Sequence, residues 1–128
     1  EHPYALPALR RFLQKTEWGV GGAASFLLLQ EGDENTVLLI QSLLSDPQPK
    51  VRLQAALVLA MWGVGGEAFL ILQEGYSKAD RITKEKILEA LGKTADKKSI
   101  SFLVERLQEG EPTLRLIAAA ALLQCLYH

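Results

Sequence analysis

The residues able to do chemistry are few and scattered. His2 and His128 are the two histidines of the chain and stand at its opposite ends. Metal centres and imidazole acid–base sites need such groups converging on one point, so neither is expected. Ser25, Ser42 and Ser99 have no histidine or lysine placed to activate them, and nucleophilic catalysis is unsupported. The neighbouring carboxylates Glu31, Asp33 and Glu34, and likewise Glu109 and Glu111, fall at helix boundaries and read as solvated caps. The glycine-rich segments 19–22 and 63–66 invite comparison with phosphate cradles. Neither fits G-x-x-x-x-G-K-[ST] or follows a strand, so both read as tight turns or close packing at a helix start. Trp18 and Trp62 beside them read as core or turn residues rather than base-stacking platforms. Cys125 lies among apolar residues and reads as a buried, inert thiol. No enzyme activity, no metal and no cofactor is expected.

The elements that would position a site follow from composition and periodicity. The 128 residues fit one domain, and 48% hydrophobic with 23% charged residues suits a globular core rather than a disordered chain. A net charge of −1 argues against nucleic acid, whose binding relies on a basic surface. The longest apolar run, 116–123, is bounded by Arg115 and Gln124 and falls well short of the about 20 residues that span a membrane. With no signal peptide and a single cysteine, which excludes an internal disulfide, a cytoplasmic location without membrane partners is expected.

The chain repeats. In steps of 31, 32 and 31 residues, Leu13 meets Leu44, Tyr76 and Leu107; Val20 meets Val51, Thr83 and Leu114; Ala24 meets Ala55, Ile87 and Ala118. Two periods apart, Pro49-Lys50-Val51-Arg52 lies over Pro112-Thr113-Leu114-Arg115. Each unit holds two helical patterns. The B pattern covers residues 4–15, 34–45, 66–78 and 97–108, with apolar residues at i, i+3 and i+7 and a polar opposite side. The A pattern covers 19–30, 49–61, 81–92 and 112–126 and is apolar around most of its circumference, as a helix sandwiched between neighbours is. Pro49 and Pro112 suit a first helical turn. Asp46 and Asp80 precede A helices, where acidic groups favour the start. Gly32, Gly63 and Gly92 read as helix stops. No segment alternates with period two, so the fold class is all-α, an α-α superhelix of about four two-helix units in one domain spanning 1–128.

A second self-similarity, Trp18-Gly19-Val20-Gly21-Gly22 against Trp62-Gly63-Val64-Gly65-Gly66, competes with this register. It needs a one-residue gap and sets Val51 against Ala95 and Arg52 against Asp96, so the shorter period stands. That period places Gly75 inside a B helix at a cost of about 1 kcal/mol against Ala, with a kink or early stop expected there.

The pattern Leu43-Leu44-Ser45-Asp46-Pro47-x-Pro49-x-Val51-Arg52-x-x-Ala55-Ala56-x-x-Leu59, with its second copy Pro112-x-Leu114-Arg115-x-x-Ala118-Ala119, resembles the HEAT-repeat family, in particular its short bacterial phycobilisome-lyase-type repeats. The resemblance covers most of the chain. It implies that Asp46, Pro49, Arg52, Pro112 and Arg115 are structural repeat positions, with Asp46 and Arg52 in a ladder between units. Gly21 and Lys84 stand where the family places that arginine, so the ladder is expected to be incomplete.

The resemblance also implies that the B helices line a concave surface. Its stripe would hold Pro7, Arg11 and Gln14, then Leu38, Ser42 and Ser45, then Leu70, Glu74 and Ser77, then Ser101, Glu105 and Gln108. One row, Arg11, Ser42, Glu74, Glu105, runs from positive to negative. Beside it Leu38 and Leu70 form an apolar centre, which has the anatomy of a binding patch. The opposing expectation is that both leucines pack into neighbouring B helices. The expected function is a non-enzymatic scaffold holding a protein, peptide or helix partner. An accessory segment of a larger enzyme, lyase- or chaperone-like, is the alternative, and nucleic-acid binding the weakest. The array begins on a B helix and ends on an A helix, which suggests a fragment of a longer solenoid or multidomain protein, or a domain whose ends are covered by something else. Its last helix offers Ile117, Ala121, Leu122 and Cys125 for self-association through uncapped ends.

Overall fold

The computed structural model describes residues 5–15 and 34–127. Among them are seven α-helices and no strand. They are α1 (Ala5–Lys15), α2 (Glu34–Ser42), α3 (Pro49–Met61), α4 (Glu67–Tyr76), α5 (Arg81–Thr94), α6 (Ile100–Arg106) and α7 (Pro112–Leu126). The first expected A helix, residues 19–30, lies outside the described residues, as do Gly32 and the segment 19–22.

α3 and α7 span the ranges expected for the second and fourth A patterns, each with its proline in the first turn. A proline there loses no hydrogen bond, because the first N–H groups of a helix have no partner in it. α5 opens on Asp80, whose Oδ1 accepts from the Thr83 N–H at 2.8 Å. That bond holds the Asp80 carboxyl below the usual carboxylate range. Two B patterns are only partly α-helical. The end of one and the start of another tighten into 3-10 turns, Leu43–Ser45 and Lys97–Ser99.

The A helices α3, α5 and α7 pack on one another in sequence, and α2, α4 and α6 lie against that row. The core runs through the row without interruption. Leu57, Leu59, Ile87, Leu88 and Leu91 are fully buried within it, and Ile40, Leu72 and Leu103 reach in from the B helices. α3 is buried around nearly its whole circumference from Gln54 to Ala60, as its all-apolar pattern requires.

The glycines divide by role. Gly63, at φ +97°, ends α3: its N–H reaches Ala60 O at 2.9 Å, and the Val64 N–H reaches Leu59 O at 2.8 Å. This is the paired-bond ending that favours glycine. Gly66, at φ +70°, opens α4, so the segment 63–66 is a tight turn. Gly92 departs from the expected stop. α5 continues to Thr94 and ends at Ala95, at φ 52°. Gly92 is instead buried against α7, where an added Cβ would stand 2.9 Å from Ala121 Cα and would strike the Gln124 side chain. Its missing side chain lets α5 and α7 approach closely. Gly75 does not break α4 early. The helix passes through it to Tyr76, with Leu53 of α3 facing it.

The exposed face of α7 also differs from expectation. Ala121 and Cys125 are buried against α5 rather than left open, and Cys125 Sγ lies 3.8 Å from Leu91 O. Ile117 and Leu122 are half-buried against the core. The open side carries Leu116, Ala120 and Leu123. A helix apolar on every side has no periodicity to show which side faces inward, which is why the sequence alone misplaced it.

Candidate functional site

The B helices present the expected stripe to solvent. Leu38 on α2 and Leu70 on α4 hold equivalent positions in successive units and are 60% and 59% exposed. They do not pack into neighbouring B helices. A single exposed leucine is ordinary, whereas a patch built from equivalent positions of successive units is the informative kind of exposure. Pro7, Arg11, Ser42, Glu74, Ser101, Glu105 and Gln108 are exposed as well.

Two of the expected contact residues are partly engaged elsewhere. The Gln14 amide donates to Gln48 Oε1 at 2.7 Å, tying α1 to the turn before α3. The Ser42 hydroxyl donates back to Leu39 O at 2.6 Å, at the point where α2 gives way to the 3-10 turn. Glu105 remains 71% exposed with Arg106 beside it at 3.4 Å. Val104, 47% exposed on α6, is an apolar member of this face that the sequence reading passed over. The available signal was its position outside the core set Ile100, Leu103 and Leu107, next to Glu105.

The structural repeat positions form a separate network at the turns. Arg52 Nη1 donates to Asp46 O at 2.6 Å and to Pro47 O at 3.1 Å. Arg115 Nη1 donates to Glu109 O at 2.7 Å and Gly110 O at 3.1 Å. The acceptors lie six and five residues back in both cases, so each arginine closes the turn before its own helix rather than linking units. Beside the Gln14–Gln48 bond, acids make further links between units. Asp46 Oδ1 accepts from Arg10 Nε at 2.6 Å, while Oδ2 accepts from the Gln48 N–H at 3.0 Å. The Arg10 guanidinium holds the Asp46 carboxyl below its usual range. Glu109, the counterpart of Asp46 two periods on, accepts from the Tyr76 hydroxyl at 2.9 Å. Burial and this carboxylate push the Tyr76 phenol upward from its ordinary value. Tyr76 lies edge-on to Phe102 at 5.4 Å, with Lys84 and Arg106 over its ring.

This arrangement binds units together and leaves a face of apolar and charged side chains free. Among the described residues no three His, Cys, Asp or Glu side chains are grouped to hold a metal ion. Nor, among those residues, is any helix long and apolar enough to cross a membrane.

A family model for HEAT repeats matches residues 36–124, more than half of the chain. The chain belongs to the HEAT-repeat family. The matched span runs from α2 into α7 and includes both arginine-closed turns. HEAT repeats generally mediate protein–protein interaction. No curated protein is a significant match to the chain.

Proposed function

We propose that this HEAT-repeat protein is a non-enzymatic scaffold that holds a peptide or helical segment of a protein partner on the concave face formed by its B helices. The observation carrying this reading is the exposure of Leu38 and Leu70 in register. Two leucines at one position of successive units offer apolar anchor points spaced by the repeat, the form in which helix-binding grooves meet an amphipathic partner. Glu74 and Glu105 flank them toward α6, and Arg11 stands at the other end. A fitting partner segment is therefore apolar at its centre, basic toward α4 and α6, and acidic toward α1. The reading includes a cytoplasmic location, where a lone thiol stays reduced.

A random-peptide display library panned against the whole chain tests this. Selected peptides are expected to share an apolar core with basic residues at one end. Leu38→Asp and Leu70→Asp are expected to lose capture while helicity and melting midpoint stay unchanged, since both side chains stand mainly in water. Unaltered capture by both variants would remove the face from consideration. Unfolding of either variant would make its leucine a packing residue.

A further inference from the structure

We propose, resting on the scaffold reading, that the partner segment lies on the B-helix face as an extended chain rather than a helix. Gln41 and Gln73 would hold its backbone amides, while Leu38, Leu70 and Val104 receive its side chains. The two glutamines stand on α2 and α4, between α1 and α6 in chain order, so neither marks an edge of the array.

The deciding observation is a repeated tetrapeptide. Leu38-Leu39-Ile40-Gln41 and Leu70-Ile71-Leu72-Gln73 occupy the same register of successive units. In each, the first and last residues are exposed and the third is fully buried. Residues three apart on a helix are neighbours on one face, so each unit presents a leucine with a glutamine amide beside it. Neither amide bonds to any group among the described residues, whereas Gln14 is engaged with Gln48. α6 carries the same two kinds of group with their places exchanged. Ser101 stands at the leucine position and Val104 at the glutamine position, both exposed.

A helix and an extended chain ask different things of such a face. A helical partner has spent its backbone N–H and C=O groups internally and needs only apolar and charged contacts. An extended partner brings an unpaired N–H and C=O with every residue, and a face lined by helices has no free backbone to meet them. A glutamine amide meets them, because it donates and accepts at once and so matches both groups of a peptide bond. Leucines alone would serve either occupant. Leucine and a free amide repeated together serve the extended one. Glu74 stands four residues beyond Leu70, and Glu105 next to Val104, both exposed. A lysine or arginine beside the apolar residues of the peptide therefore completes the match.

Peptides selected from the random display library against the whole chain are the probe. The double variant Gln41→Ala, Gln73→Ala keeps the apolar anchors, and alanine forms helix at least as well as glutamine, so helicity and melting midpoint should hold. Affinity for a selected peptide should fall by at least roughly tenfold, as the loss of two hydrogen bonds does. N-methylation of the central amides of the peptide should weaken binding to a similar degree, and α-methyl residues that enforce a helix should weaken it too. A peptide held equally by parent and double variant, and more tightly once its helix is enforced, overturns the extended mode while leaving the scaffold reading standing. A library that yields no binder, or only binders indifferent to Leu38→Asp and Leu70→Asp, removes both.

Discussion

Gly92 and Gly75 differ in what stands where a side chain would be. At Gly92, besides the Gln124 side chain, the obstacles are fixed atoms of Ala121: Cα at 2.9 Å and Cβ at 3.0 Å. Neither atom can rotate away. Alanine there would gain about 1 kcal/mol of helix propensity but would overpack the α5–α7 seam at a cost of about 1–3 kcal/mol. Gly92→Ala is therefore expected to lower the melting midpoint, and Ala121→Gly to recover part of the loss in the double variant, a coupling that thermal melts of all three would measure. At Gly75 the obstacle is the end of a side chain, Leu53 Cδ1 at 3.1 Å, on a residue only half-buried. That methyl can move by a few tenths of an ångström. Gly75→Ala is expected to raise stability by about 0.5 kcal/mol. The sequence placed Gly75 inside its helix but disguised Gly92 as a helix stop. A glycine near the end of a pattern looks alike whether it turns the chain or admits a neighbouring helix, and the actual turn at Ala95 carries no glycine to announce it.

At the scale of elements, prolines and acids fix where helices begin. The ranges of α3 and α7 were legible to the residue because Pro49 and Pro112 mark a boundary that only a helix start accepts. The B helices were legible in position but not in length, since their tightening into 3-10 turns leaves the apolar spacing intact. Legible too were the polar residues of the exposed B-helix face, because amphipathic helices carry their orientation in their period; whether Leu38 and Leu70 join them was not, since a leucine beside a polar stripe reads alike packed or open. The links between elements were less visible. Asp46 was expected in a ladder, but its partner Arg10 lies 36 residues away with no local pattern to reveal it. That link yields a pH dependence. The folded Asp46 pKa is depressed, so its stabilising contribution is fully present above the unfolded value of about 3.9 and is lost as pH falls through the lower folded value. Asp80 behaves likewise at the start of α5. Acid titration of stability should therefore steepen below about pH 4. Asp46→Asn should lower stability at neutral pH and flatten this acid limb, as followed by denaturant midpoints against pH. A variant as steep as the parent would mean that the Arg10 contact contributes nothing to folding.

The whole molecule is a row of A helices flanked by B helices, and stability in such arrays is close to a sum over units and their interfaces. The central helix α3 is covered on all sides, whereas α7 is held chiefly by α5 and α6. Unequal cover implies unequal opening, with α7 separating at lower free energy than the unfolding of the core. Cys125 reports on this event. It is fully buried at the α5–α7 seam, and burial with the nearby Asp96 carboxylate pushes its thiol up, so it reacts poorly until α7 lifts. Its labelling by a thiol reagent is expected to run faster than global unfolding permits, yet far slower than in the denatured chain. A cysteine placed at Leu57 in an otherwise cysteine-free variant should label only with global unfolding. Equal opening free energies at the two positions would make the array one cooperative unit and remove the basis for treating α7 as a separable edge.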